Sequence, residues 1–152
     1  MAGRVRVIHV ASEQGAPMER LERASAVAGR GLEGDRYFDT EGTFADRDGS
    51  DITFIEQEAL EAVERNYDIS LEPGAHRRNL TTDGIALNHL VDRRFRVGDA
   101  VCEGIELCEP CSYLESHLEE RGIREALVHR GGLRARILED GTLTPGDGIE
   151  PL

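Results

Sequence analysis

The sequence predicts a mainly β fold, a small closed or partly open β-barrel with a few peripheral α-helices. Three observations carry that prediction. β-rich runs recur in short lengths, glycine-centred turns separate them, and only one stretch has a clear helical period. No regular strand–helix alternation of the doubly wound kind runs through the chain. The 152 residues suit a single domain over 1–152, because domains commonly run ~100–200 residues, and that length can bury a core without covalent staples.

Each element follows from a local pattern. RVRVIHVA (4–11) alternates with period two and reads as a strand. LERASAVAGR (21–30) holds a second, ending at Gly29 and Gly31, and GRGLEGDRYF (29–38) is a glycine-punctuated loop. DITFI (51–55) is a short β-branched and aromatic run. It feeds EQEALEAVERN (56–66), the clearest helix, where Ala59, Leu60, Ala62 and Val63 form a narrow apolar face. LEPGAH (71–76) breaks that helix, and RNLTT (78–82) is a short strand bounded by Gly84. RRFRVGDAVCEGIEL (93–107) has two β-rich runs about Gly98-Asp99. CSYLESHLEERG (111–122) reads as a short helix stopped at Gly122. LRARILEDGTLTPGDGIEPL (133–152) has two runs about Asp140-Gly141, a strong signal for a type I′ hairpin.

Composition excludes some functions. Thirty acidic residues face eighteen basic ones, all of them arginine, for a net charge of −12. A GC-rich genome would explain the missing lysine but not the excess acid. A cytoplasm with molar salt explains the acid, since at ~1 M the Debye length is only ~3 Å and self-repulsion is screened; the halophilic reading is favoured. A sequence pI near 4.8 argues against a nucleic-acid or anionic-membrane surface. No apolar window is long enough for a membrane span and no signal peptide is visible. The three cysteines, an odd number, do not suit a secreted disulfide framework, so a cytoplasmic location is expected.

Two of those cysteines lie in LCEPCSYLE (107–115). A structural zinc site needs four Cys or His ligands, and neither a second C-x-x-C nor an H-x(3–5)-H pair is present, so zinc is not expected. The βαβ context of a thioredoxin-like pair is missing, and the glutamate between the thiols disfavours a thiolate. Cys111 is the better placed of the two, because it falls at or just before the start of the expected helix, where free N–H groups stabilise a thiolate. Nucleophile, persulfide carrier and soft-metal ligand are its three readings. Cys102, within DAVCEGIEL, reads as a packed small hydrophobe.

HRRNLTTDG (76–84) gathers two arginines, an amide and two hydroxyls in a net-acidic chain. Arginine forks onto phosphate or carboxylate, and asparagine can donate and accept at a heterocycle edge. This is an anion-site candidate. GLEGDRYF (31–38) adds Asp35 and Arg36 on a loop that backbone glycines could bring close to a ligand, but it lacks the Gly-Lys-Ser/Thr ending of a phosphate loop. Arg134 and Arg136, two apart, read as one solvated strand face.

Taken together, GLEGDR, RRNLTTDGIALNHL, FRVGDAVCEGIELCEPCSYLE and RGGLRARILEDGTLTPGDGI, in that order between Gly29 and Ile149, resemble the MOSC domain. That domain closes molybdenum cofactor sulfurases and also stands alone in bacteria and archaea. The resemblance implies a barrel-like β fold and work with the molybdenum cofactor, a phosphorylated pterin whose dithiolene holds the metal. It implies that Cys111 is the catalytic cysteine and metal ligand, with Cys108 as second choice. It further implies that Arg77 and Asn79 contact the cofactor, with Thr81 and Thr82 following, and adds contacts from Asp35, Arg36 and Arg136. No N-terminal companion barrel is visible in this sequence, so a more open site is expected. No pyridoxal phosphate site is visible either, so any sulfur donor would be another protein.

Three functions follow as expectations. The first is a molybdopterin-binding protein supporting reduction of N-hydroxylated substrates with an electron-transfer partner, hence a molybdenum-dependent oxidoreductase. The second is a sulfur carrier or sulfurtransferase, in which Cys111 takes a persulfide from a cysteine desulfurase. The third is a non-enzymatic, redox-sensitive binding module closed by a Cys108–Cys111 disulfide.

Overall fold

The computed structural model describes residues 3–13, 15–36, 38, 51–71, 74–108 and 122–152, the side chains of 124 and 125 excepted. Seven strands form a closed barrel: β1 (Gly3–Val10), β5 (Ile52–Glu56), β6 (Leu80–Asp83), β7 (Arg94–Val97), β8 (Ala100–Leu107), β9 (Leu133–Glu139) and β11 (Gly148–Pro151). The ring runs β1–β6–β5–β9–β8–β7–β11, and β11 pairs back onto β1, so this is a mainly β fold whose barrel is fully closed. Every pairing in the ring is antiparallel except β5 with β6. A parallel pair needs a crossover, and α1 (Gln57–Tyr67) supplies it. β2 (Glu19–Leu21) extends the sheet beyond β1, while β3 (Ala24–Val27), β4 (Gly31–Leu32) and β10 (Gly141–Leu143) form a separate small sheet.

Apolar alternation directs one face of each barrel strand inward. Ile8, Ile52, Phe54, Leu80, Phe95 and Leu133 are among the fully buried side chains of that interior, and Phe54 meets Phe95 edge to face at 5.5 Å. A second apolar cluster sits outside the barrel. Ile55 points outward from β5 and packs with Val63 of α1, with Ile69, and with Ile123, Ala126 and Leu127 in and after α2 (Ile123–Ala126). The helix expected at 56–66 therefore forms within a residue of its predicted bounds, with Ala59 and Val63 buried. Its end is set by Asp68, whose left-handed backbone (φ 55°) lets its N–H reach the Glu64 carbonyl at 3.0 Å. The helix expected at 111–122 lies outside the described residues apart from Gly122, and α2 begins just after it. No described helix is long and apolar enough to cross a membrane.

The Gly98-Asp99 hairpin forms as expected, with Val97 opposite Ala100. The Asp140-Gly141 hairpin does not. β10 leaves the barrel and pairs with β3, Gly141 opposite Ala26. A Cβ on Gly141 would overlap the Asp99–Ala100 backbone, so glycine is required here for close approach, not for a two-residue turn. The Asp140 carboxylate accepts the Ala28 N–H at 2.7 Å, tying the bend to the small sheet. β1 holds a second surprise. Val5 faces Thr82 and Val7 faces Thr81, leaving Arg6 as a bulge. The extra residue switches parity: Val5, Ile8 and Val10 join the interior cluster, and His9 does not.

Candidate functional site

The segment 74–79 positions the site. A turn closes from the Arg77 N–H to the Gly74 carbonyl at 2.9 Å and puts Arg77 in the left-handed region, φ 64°, which for a residue with a side chain stores backbone strain of the kind that collects at functional sites. From that turn the three side chains of Arg77-Arg78-Asn79 fan apart. Arg77 donates from Nη1 to the Ala16 carbonyl at 2.7 Å. Its own carbonyl accepts Arg36 Nη2 at 3.0 Å, and Arg36 Nη1 pairs with Asp35 Oδ1 at 3.0 Å, both side chains buried. Asp35 Oδ1 also accepts the Ala11 N–H at the end of β1. Asp35, Arg36 and Arg77 are thus one cluster, in which the carboxylate balances the Arg36 charge.

Asn79 points into the wall. Its Oδ1 accepts both the Thr53 N–H (3.0 Å) and the Thr53 hydroxyl (3.2 Å), and its Nδ2 donates to the His9 carbonyl at 3.1 Å. It is fully buried, so in this structure its amide joins β5, β6 and β1. Thr82 is also buried and its hydroxyl reaches the Ile55 carbonyl at 3.5 Å. Thr81 Oγ1 lies 3.3 Å from His76 Nε2.

Arg78 turns the other way. Its Nε donates to the Gly131 carbonyl at 2.8 Å, Nη1 to His76 O at 3.2 Å and Nη2 to Cys108 O at 3.1 Å. All three acceptors are neutral carbonyls, and among the described residues no carboxylate pairs with it. Cys108 sits just past β8 and is buried. Its N–H donates to Gly132 O at 2.7 Å, and Arg134 Nη2 stands 4.0 Å from its sulfur. Arg134 Nε is 3.3 Å from Glu106 Oε1. Cys111, three positions further on, lies outside the described residues.

The two arginines of β9 share a face, as their spacing requires, but not an environment. Arg134 is 6 % exposed, so its reading as a solvated side chain is overturned. Arg136 is half-exposed, pairs with Glu103 at 3.3 Å, and has no described contact with the Arg78 or Arg77 groups. The structure links Arg78 to His76 and to Cys108, beside which Arg134 stands, connections that the motifs did not indicate. The signal available was the position of Arg78 inside the basic triplet; nothing local marks His76, whose ring lies 5.7 Å from that of His9. Burial, then the Arg78 and His9 charges, push the His76 pKa down to about 3. Cys102 lies in the interior cluster, where burial and the Asp51 charge push its thiol up to about 12, in keeping with a packed, unreactive residue. No three His, Cys, Asp or Glu side chains among the described residues converge as a metal site.

Comparisons with known proteins agree on the fold. The YuaD protein from Bacillus subtilis superposes with a TM-score of 0.81 at 15 % identity, over 99 % of this chain and 96 % of that one. YiiM from Geobacillus stearothermophilus gives 0.77 at 15 % identity, over 99 % and 75 % of the two chains. YiiM from Escherichia coli gives 0.69 at 18 %, over 98 % and 69 %. No curated protein matches the chain. The model of the MOSC domain matches residues 41–150, a span that begins after GLEGDR and so lends nothing to Asp35 or Arg36. It includes the barrel strands from β5 onward, the Arg77–Asn79 triplet and both thiols of C-E-P-C, and the chain belongs to the MOSC domain family.

Proposed function

We propose that the chain binds the molybdenum cofactor on the face formed by Arg78, Arg134 and Cys108, where Cys111 follows. The observation that carries this reading is the Arg78 guanidinium, which is anchored by three neutral carbonyls and has no carboxylate partner among the described residues. A cation held that way in a chain of net charge −12 is suited to a phosphate. The donor set fits the group in two respects: a fixed guanidinium for its phosphate, and a neighbouring Cys108 thiol, with Cys111 three positions on in sequence, for a soft metal. When bound, the cofactor would supply oxo-transfer and two-electron redox chemistry. Arg78 would bind and orient the phosphate; Arg134, 4.0 Å from the Cys108 sulfur, would add a second positive charge on that face. Cys111 is the residue proposed to ligate the metal, and an electron-transfer partner would complete a reductase acting on N-hydroxylated compounds.

Sulfur carriage is the second reading, favoured by the same Arg134–Cys108 contact, because a persulfide anion is stabilised by a nearby cation. A desulfurase with cysteine would then leave one added sulfur on Cys111, seen by mass spectrometry and absent from Cys111→Ser. For the first reading, protein from a cofactor-competent host should carry about one molybdenum per chain and release a fluorescent pterin on oxidation. Cys111→Ser should lose the metal, and Arg78→Ala should lose both. A folded chain that carries neither, and takes up neither on reconstitution, rules the cofactor reading out.

A further inference from the structure

A cavity of about 330 Å³ lies on the outer face of the barrel between β1, β6 and α1, at the small end of the ~300–1,000 Å³ typical of ligand pockets. Its two walls carry opposite chemistry. On the barrel side, His9 and Arg20 are direct cross-strand partners, which sets the guanidinium beside the imidazole. Burial first, and then the Arg20 charge, lower the His9 pKa, and His76 is held down to about 3, so both rings are neutral at pH 7. His76 Nδ1 accepts the Arg78 N–H at 2.9 Å. Its proton is therefore on Nε2, donated to Thr81 Oγ1 at 3.3 Å, and the Thr81 hydroxyl hydrogen is left for a further acceptor.

His9 Nδ1 is sealed with no partner among the described residues. A sealed, unpaired N–H costs more than a sealed lone pair, which puts the His9 proton on Nε2. That nitrogen lies beside Gly74, another residue of the cavity wall, where an added Cβ would come within 3.3 Å of it. The barrel wall thus presents an N–H, an O–H and the Arg20 guanidinium, whose Nε stands 3.7 Å from Glu22 Oε1 in an exposed pair. The helix wall presents Glu61 and Glu64, exposed at the rim and on one face of α1 at i,i+3 spacing. Among the described residues neither carboxylate has an ion-pair partner. Val7, Leu60 and Leu71 lie between the two walls.

From this polarity we infer that the cavity binds a small zwitterion of the amino-acid class. Its carboxylate meets His9, Thr81 and Arg20, its ammonium meets Glu61 and Glu64, and an aliphatic body packs on Val7, Leu60 and Leu71. A simple anion would face two uncompensated carboxylates, and a simple cation would face Arg20. Only a dipolar ligand satisfies both walls. The inference does not require the cofactor: of these groups only His76 contacts Arg78.

The test is an NMR titration of the full chain, without cofactor, following the imidazole resonances of His9 and His76. L-leucine is the probe, with 4-methylpentanoate and 3-methylbutylamine as its two half-charged analogues. Leucine should give saturable His9 shifts and bind at least about 3-fold more tightly than either analogue, since each analogue lacks one charged end and an exposed ion pair is worth about 3-fold. Arg20→Gln should weaken leucine and the carboxylate about 3-fold and leave the amine no weaker, since a repelling charge is removed. The pair Glu61→Gln with Glu64→Gln should weaken leucine and the amine and strengthen the carboxylate, whose repulsion they relieve. All three side chains are exposed, so these variants fold. No saturable shift with leucine, or an analogue that binds as tightly as leucine, overturns the inference.

Discussion

Cys102 and Cys108 are both buried, at 1 % and 4 % exposure, the first within β8 and the second just past its end. Cys102 points into the barrel among Phe95, Ile137 and their neighbours, and its thiol is pushed up to about 12. Cys108 has its N–H on Gly132, its carbonyl on Arg78, and the Arg134 guanidinium near its sulfur. Equal burial therefore has opposite consequences. The interior excludes charge and needs none, whereas the outer wall buries cations and polar groups that are held by backbone carbonyls. Stability belongs mainly to the first region, and the proposed chemistry to the second.

That division can be broken from either side. The largest expected effect is in the interior: Phe54→Ala should cost about 3–5 kcal/mol in urea denaturation, the range for a large aromatic removed from a packed core. A loss under 1 kcal/mol would mean that the interior is not the main stabiliser. Asn79→Ala comes next. It removes three hydrogen bonds and leaves the Thr53 N–H and the His9 carbonyl without this partner, so it should cost about 2–3 kcal/mol. If stability is unchanged while cofactor binding disappears, Asn79 is a ligand group and not a seam of the wall.

His76 supplies a pH test of the outer wall. Its folded pKa, about 3, is below the ordinary histidine value of 6.5. The unfolded chain therefore binds a proton there first as pH falls, so the contribution of neutral His76 is complete above pH ~6.5 and is lost between ~6.5 and ~3. Within that window the slope from this group is at most about 1.4 kcal/mol per pH unit. His76→Gln should flatten stability between pH 6.5 and 4 relative to the parent. Identical slopes would show that the ring is not held neutral. Asp51 and Glu56, whose pKa values burial raises, act in the opposite sense and cancel in the comparison of the two proteins. The smallest effect belongs to Arg136→Ala, which breaks a half-exposed pair with Glu103 and should change stability by no more than about 0.5 kcal/mol.

Local pattern was enough for much of the barrel. Alternation, β-branched runs and the Gly98-Asp99 turn placed most strands, and the apolar stripe of 59, 60, 62 and 63 placed α1. What failed was decided by distant partners. Asp140-Gly141 carries the dipeptide of a tight turn, but its glycine answers to the Asp99–Ala100 backbone beside it. Period two in β1 does not reveal the bulge at Arg6, and that bulge carries His9 to the outer wall. In the site, the basic triplet was visible as a cluster, but the pattern did not show that Arg77 joins Arg36, Arg78 the Cys108 carbonyl and Asn79 the Thr53 backbone. Which arginine reaches Cys108 depends on how the 74–79 turn folds over β6. Likewise Arg134 and Arg136 are equivalent by spacing; only the packed structure distinguishes the buried one from the exposed one.

The most direct measurement compares pterin retained by three arginine variants prepared from a cofactor-competent host. Arg78→Ala and Arg134→Ala should each lose most of the bound pterin and molybdenum, while Arg136→Ala keeps the parent level. If all three retain it equally in folded protein, or only Arg136→Ala loses it, the face built on Arg78, Arg134 and Cys108 is not where the cofactor is held.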